Sequence, residues 1–313
     1  MTGAHHDYLH PNTGEPNFNE SMYFNFYDRS SGWGGFTRIG NRPNEGYAEV
    51  TLALYRPDGT ALFNFKRPEI RDNSALAAGG MSFSILEPGR HLRVQYEGHA
   101  VFLAQPRDLE DPRRAFTVNP YQPVLLELDY YGLSPIYGGE SEMNSEALVF
   151  ARGHTEQHVR ATGTLVVNEV TIPIHGLGLR DHSWGPRSWQ SPAYYRWLTC
   201  QFDESFGFMG SHIHLHSGVD LLSGFVFRDG RNDLVHHLRI DTEWQNDAPY
   251  HRALCVELST ESGRFEVTGE VIGMLPLRHR RDGKTTRIAE GLTRWRCGSQ
   301  EGYGWSEYLD QVG

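Results

Sequence analysis

The densest run of reactive residue types lies between positions 176 and 189. It holds two glycines, Gly176 and Gly178, two arginines, Arg180 and Arg187, one carboxylate, Asp181, one imidazole, His182, and two indoles, Trp184 and Trp189. A carboxylate beside an imidazole is the equipment of general acid–base chemistry, because burial moves both groups towards neutrality. If residues 180–184 are extended, Arg180, His182 and Trp184 share one face and Asp181 takes the other. A bend at Gly185-Pro186 would alter that arrangement. Indole faces can shelter a developing cation. The alternative is a buried ion-pair and aromatic corner that locks one end of a barrel. Gly176-x-Gly178 lacks the third glycine of a dinucleotide fingerprint, with Asp181 in its place, so that reading is rejected.

Three further groups carry chemistry. His154, Glu156, Gln157 and His158 lie upstream; Glu156 shares a strand face with His154 and with His158, and the plainer reading is a solvated edge strand. His212, His214 and His216 put three imidazoles on one face of a strand, a pattern that metal sites in barrels do use. The opposite face carries Met209, Ile213 and Leu215, which look like core, so no tightly bound metal is expected; a metal-dependent enzyme using His212 and His214 is the weaker alternative. Tyr194, Tyr195 and Trp197 in one strand, and Tyr303, Trp305, Glu307 and Tyr308 in the last, are either barrel core or a ligand lining. Trp33 and Arg38, in Trp33-Gly-Gly-Phe-Thr-Arg38, are the first half's counterpart: a Gly-rich turn and strand, or the wall of a pocket.

The elements that must position these groups are strands. Ala48, Val50, Leu52 and Leu54 alternate with Glu49, Thr51 and Ala53, the period of a half-buried strand. Turn signals follow at Pro57-Asp58-Gly59, Pro88-Gly89, Glu97-Gly98, Asn168-Glu169, Asp229-Gly230, Ser262-Gly263 and Asp282-Gly283. Strands at that spacing predict an all-β sandwich or barrel. One short helix is allowed at residues 69–78, and crossover helices for a parallel sheet are lacking. A Gly, Pro, Ser and acid-rich boundary at 134–144 predicts a polar arm over 1–20, a first half over 21–140, and a second half over 141–313 that carries Asp181-His182.

Bulk properties narrow the partners. Lys+Arg is 29 and Asp+Glu 39, a formal charge of −10. An acidic surface repels phosphate backbones, so nucleic acid is not expected as a partner. The basic cluster Arg278, His279, Arg280, Arg281 and Lys284 straddles Asp282-Gly283 and reads as a hairpin tip. Cys200, Cys255 and Cys297 are odd in number and far apart, which fits a reducing compartment. No apolar leader or membrane-length apolar run is visible, so a cytoplasmic protein without membrane insertion is expected.

Trp33-Gly-Gly-Phe-Thr-Arg38, Glu156-Gln157, Gly178-Leu-Arg-Asp181-His182-Ser-Trp184-Gly185 and Gly302-Tyr-Gly-Trp-Ser-Glu307-Tyr308 together resemble an uncharacterised bacterial family of the AttH-like superfamily. The resemblance covers nearly the whole chain. It implies a double lipocalin-like (calycin-like) fold, two antiparallel β-barrel halves packed together. The superfamily includes the carotenoid 1,2-hydratases (hydroxyneurosporene synthases), and the link to them rests on a short Asp-His-x-x-Gly core, here Asp181, His182 and Gly185. In those hydratases such an Asp is thought to protonate an isoprenoid double bond, and water captures the cation. Carried over, the resemblance implies Asp181 as proton donor, supported by His182 or Trp184. Related two-barrel folds resemble fungal enzymes that guide pericyclic cyclisation.

The combined expectation is a cofactor-independent hydratase, dehydratase, isomerase or cyclase acting on an apolar, terpenoid-like molecule. Its catalytic residues would be Asp181, His182 and Glu156. Trp33, Arg38, Trp184, Tyr195, Trp197, His212, Tyr303 and Glu307 would contact the substrate. A non-catalytic carrier of a hydrophobic ligand is the alternative, and a homodimer is allowed for.

Overall fold

The structure is a computed structural model that describes residues 3–140 and 152–312. Its first sheet contains β1 (Phe18–Tyr27), β2 (Gly34–Arg42), β3 (Tyr47–Tyr55), β4 (Ala61–Lys66), β5 (Ala77–Ala78), β6 (Met81–Glu87) and β7 (His91–Leu103). After a 3-10 turn at Pro106–Glu110 and a short helix, α1 (Pro112–Val118), it continues with β8 (Tyr121–Gly132), β9 (Tyr137–Glu140), β10 (Gly153–Val167) and β11 (Val170–Pro186). The second sheet contains β12 (Pro192–Asp203), β13 (Phe206–Leu215), β14 (Asp220–Arg228), β15 (Arg231–Leu234), β16 (His237–Trp244), β17 (His251–Thr260), β18 (Gly263–Arg281), β19 (Lys284–Cys297) and β20 (Gln300–Val312). Every strand pairing in both sheets is antiparallel, so the all-β expectation holds.

The first sheet closes on itself. Hydrogen bonds run β4-β3-β2-β1-β11-β10-β8-β7, and β7 returns to β4 through Ala61↔Leu103 to Phe63↔Val101. An eight-stranded barrel is just wide enough for side chains to fill it. Alternate residues do so: Met22, Phe24, Ile39, Val50, Leu52 and Leu126 are at most 1% exposed and form one cluster. The second sheet runs β15-β14-β13-β12-β20-β19-β18-β17-β16 around its own core of Leu198, Phe208, Val256, Trp295 and Tyr308.

Two-residue turns set the register of several hairpins. Asn168-Glu169 joins Val167 to its partner Val170 with both φ positive, and Asp229-Gly230 and Asp282-Gly283 do the same for Arg228↔Arg231 and Arg281↔Lys284. The basic cluster at 278–284 is therefore a hairpin tip. Glu97-Gly98 does not turn. It lies within β7, where a side chain at Gly98 would strike the Tyr96 hydroxyl.

Three expectations are corrected. No helix forms at 69–78, because Asp72 closes a local turn onto Ser74 N and Ile70 N bonds Gly46 O. The stretch from 154 to 158 is no edge strand, since β10 pairs with β11 on one side and with β8 and β9 on the other. The boundary does not fall near 140, part of which (141–144) lies outside the described residues. The compact units are Met1–Gln105 with Arg113–Ser188, and Pro106–Pro112 with Trp189–Gly313. The reason is that β10 and β11 complete the first barrel, so Asp181-His182 belongs to the first unit. Among the described residues no helix is long and apolar enough to cross a membrane.

Candidate functional site

β11 presents two chemistries, one on each face. Its register places Arg180 opposite Phe24, His182 opposite Met22 and Trp184 opposite Glu20, all on the face that lines the barrel. Asp181 lies opposite Tyr23 on β1 and Glu156 on β10, on the outer face. Residues 180–184 are extended, so the expected sharing of faces is present. Consequently Asp181 and His182 do not act on each other's side: the pleat that makes them sequence neighbours points them apart.

On the outer face a transverse row runs Arg38 (β2), Tyr23 (β1), Asp181 (β11), Glu156 (β10) and Tyr137 (β9). The row above holds Ser21, Ser183 and His154, and the row below Phe36, Asn25, Leu179 and His158. His154 Nε2 donates to Asp181 Oδ2 and lies 3.6 Å from Glu156 Oε1. Burial pushes the His154 imidazole down, but the charges of Asp181 and Glu156 lift it to about 9. Burial pushes the Asp181 carboxyl up, and His154, with Arg187 behind it, holds it below the usual carboxylate range. The two shifts act together: each charge of the pair favours the other, the imidazolium on His154 and the carboxylate on Asp181. Arg187 Nη1 donates to Ser183 Oγ at 2.7 Å. Arg38 binds Glu49 at 3.4 Å, and burial lowers its guanidinium to about 10, still charged. His158, two residues along β10, is pushed down to about 3 by burial and stays neutral.

Inside the barrel the N-terminal arm enters from the β1 start. Arg180 Nη1 meets Asp7 Oδ1 at 2.7 Å, and its Nε donates to Gln157 Oε1 at 2.8 Å. Gln157 in turn donates to Gly89 O and Ser134 O. Burial lowers the Arg180 guanidinium, and the Asp7 charge opposes that. Arg180 is thus occupied by Asp7 rather than Asp181. Beside this pair, Glu20 Oε1 accepts from His182 Nε2 at 2.6 Å and from His10 Nδ1 at 2.9 Å. Burial would push the Glu20 carboxyl up; the two imidazole hydrogen bonds hold it below its ordinary value. Trp184 roofs the cluster: the His10 ring stacks on it at 3.7 Å and His6 at 4.8 Å. Gly153 opposite leaves the space, since a Cβ there would lie 2.1 Å from the indole.

The ligating atoms of His10, Glu20 and His182 lie within 4.8 Å of one another, as do those of His154, Glu156 and Asp181. His10 and Glu20 carried no signal in the sequence beyond their types. Their distance from His182 in the chain hides what the β1–β11 register brings together.

The other expected site residues are distributed as follows. Trp33 sits in the β1–β2 loop with Arg56 5.5 Å over its ring, about 24 Å along β1 from Glu20 at 3.4 Å per residue. Tyr195, Trp197, His212, Tyr303 and Glu307 belong to the second unit. There Trp197 pairs with Glu307 and Tyr195 with Leu309, on the outer face of β12 and β20. Tyr303 pairs with Gln201 further along and donates to Glu301. His212 and His214 face the same side as Phe208, and both donate to Asp220 Oδ1, at 2.6 and 2.8 Å, with Tyr194 stacked on His214. The core therefore lies under the histidine face of β13, not only under Met209 and Leu215.

No curated protein matches the sequence. Solved structures similar to this chain include CghA, with a TM-score of 0.60 at 12% identity over 97% of this chain and 93% of that one. A putative AttH from Nitrosomonas europaea gives 0.59 at 12% identity over 94% and 92%. Kievitone hydratase from Nectria haematococca gives 0.60 at 9% identity over 93% and 88%. These likenesses show that the chain shares the double lipocalin-like fold of those proteins. The family model described as "Domain of unknown function (DUF7064)" matches residues 3–312, and the chain belongs to that family.

Proposed function

We propose that the first unit transfers protons to and from an unsaturated, apolar small molecule at the His154–Asp181–Glu156 cluster, a reaction of the hydratase, dehydratase, isomerase or cyclase type. The observation that carries this reading is an imidazole held against two carboxylates on paired strands, whose charges raise its titration to about 9. Tyr23 in the same row, and Phe36 and Leu179 in the adjoining one, offer the apolar contacts. The likeness to kievitone hydratase supports a hydratase-type reaction on this fold.

In this reading the roles differ from the sequence expectation: His154 holds the Asp181 carboxyl below its ordinary range, so His154 gives the proton and Asp181 holds the imidazolium in place. In the hydration direction the His154 proton forms the new C–H bond as the π bond breaks. Water then forms the C–O bond at the resulting cation and releases its proton to Glu156. Proton transfer of this kind is completed by side chains alone.

The test is incubation of the full chain with a panel of unsaturated apolar compounds, kievitone among them, in H2(18)O. Products carrying the label are expected, with turnover reduced about 100-fold or more in His154→Gln. Unchanged turnover in that variant sinks the reading. Binding of the same compounds without any product transfers the assignment to a hydrophobic-ligand carrier.

A further inference from the structure

The proton-transfer reading uses the outer face of β11 and leaves the barrel-facing trio unexplained. We propose that His10, Glu20 and His182 form a mononuclear site for a divalent transition metal, which pins the N-terminal arm to β1 and β11.

The three ligands come from three separate stretches of chain, and their donor atoms converge within 4.8 Å. Both imidazoles aim a ring nitrogen at the same carboxylate oxygen, 2.6 and 2.9 Å away. Metal–ligand bonds of about 2.0–2.2 Å place an ion among such atoms with small side-chain shifts. Two nitrogens and one carboxylate favour zinc, iron(II), cobalt or nickel, since magnesium and calcium prefer all-oxygen sets. Three protein ligands leave a further coordination position open.

Outer partners that metal ligands ordinarily have are in place for Glu20 and His10, while the buried Nδ1 of His182 has none among the described residues. The second Glu20 oxygen accepts from His10 N at 3.1 Å and Asn73 Nδ2 at 3.3 Å, and Asn73 Oδ1 accepts from Asn41. The outward nitrogen of His10, Nε2, meets His6 Nδ1 at 3.1 Å, so either ring can donate to the other. The Glu20 and His182 side chains are fully buried and that of His10 is 13% exposed. The Trp184 indole stacks on the His10 and His6 rings beside the same spot. A carboxylate with two imidazoles is also stable as a plain hydrogen-bonded network, and that is the alternative the experiment must beat. The sequence-based expectation of no tightly bound metal rested on β13, whose histidines converge on the exposed Asp220 instead.

The experiment takes the untagged full chain, stripped with chelator, and titrates it with cobalt(II), following visible d–d absorption, and with zinc(II), following heat and retained metal. Near one equivalent is expected in the native chain, with affinity lowered at least tenfold in His10→Ala and in Glu20→Gln. His212→Ala should bind as the native chain does. Zinc should also slow proteolysis of the arm ahead of β1. Because His10 lies on the arm, His10→Ala keeps the barrel strands intact and serves if Glu20→Gln does not fold. The proposal is overturned if the native chain takes up no cobalt or zinc, if His10→Ala binds unchanged, or if binding is lost in His212→Ala instead. None of these outcomes bears on turnover by His154, so the two readings fail separately.

Discussion

His154 decides what Asp181 is able to do. As long as the imidazole keeps its proton, Asp181 is a counter-ion, and the acid of the pair is the histidine. Asp181→Asn removes one of the two charges that lift His154, so its titration should fall from about 9 towards the ordinary imidazole value. Histidine resonances followed by NMR against pH would show this; a His154 pKa unchanged in Asp181→Asn would place the controlling charge elsewhere. Two other histidines act in the opposite sense. His158 and His251 are pushed down to about 3 by burial. Their folded-state values are depressed, so the stability they contribute is fully present above the ordinary imidazole value and is lost as pH falls towards 3. His154 is raised, so its contribution is complete below that ordinary value and is lost as pH rises through about 9. Urea unfolding at a series of pH values should therefore show greatest stability near pH 6.5. On the acid side it should fall by about 1.4 kcal/mol per pH unit for each of the two buried histidines. Stability that stays level down to pH 4 would contradict the neutral, buried state of both.

At the scale of elements, β11 owes its importance to alternation. The sequence pattern alone placed Arg180, His182 and Trp184 on one face and Asp181 on the other, because a period of two is a local property. The partners were not legible. Asp7, His10 and Glu20 meet Arg180 and His182 only through pairing of strands more than 150 residues apart, and no local pattern encodes that register. For the same reason Asp181 found His154, on the next strand, instead of Arg180. The arm is bolted to the barrel by the buried Asp7–Arg180 pair. Removing one member of such a pair leaves an uncompensated charge inside, which costs about 3–5 kcal/mol. Asp7→Ala should lower unfolding free energy by that amount in urea titration. A loss below about 1 kcal/mol, the range of surface pairs, would mean that water replaces the carboxylate.

For the whole molecule, the fold class was legible because turn dipeptides at 168–169, 229–230 and 282–283 fix hairpins locally. The division into units was not, because it depends on which sheet a strand joins. A single short segment makes the point. Residues 106–112 sit between β7 and β8 in the chain yet cluster with the second unit. The 3-10 turn there packs on β18, Arg107 lies 3.4 Å from Asp247 and 5.7 Å over the Tyr250 ring, and Asp111 pairs with Arg278. A chain of residues 189–313 made alone should therefore be less stable than the same unit supplied with a peptide covering 104–114. Thermal melts with and without that peptide would show the difference, and identical melts would assign the segment no energetic role.

The pairing of β1 with β11 also sets a timetable during synthesis. The strand that begins at Phe18 finds its second neighbour only when the residues up to Pro186 have left the ribosome. Until then β1 has β2 on one side and an unpaired row of backbone groups on the other, the kind of edge that invites association with other chains. Closure of this barrel joins distant parts of the chain and is correspondingly slow. The nascent protein thus passes most of its first unit's translation as an open sheet, with that edge available to other chains.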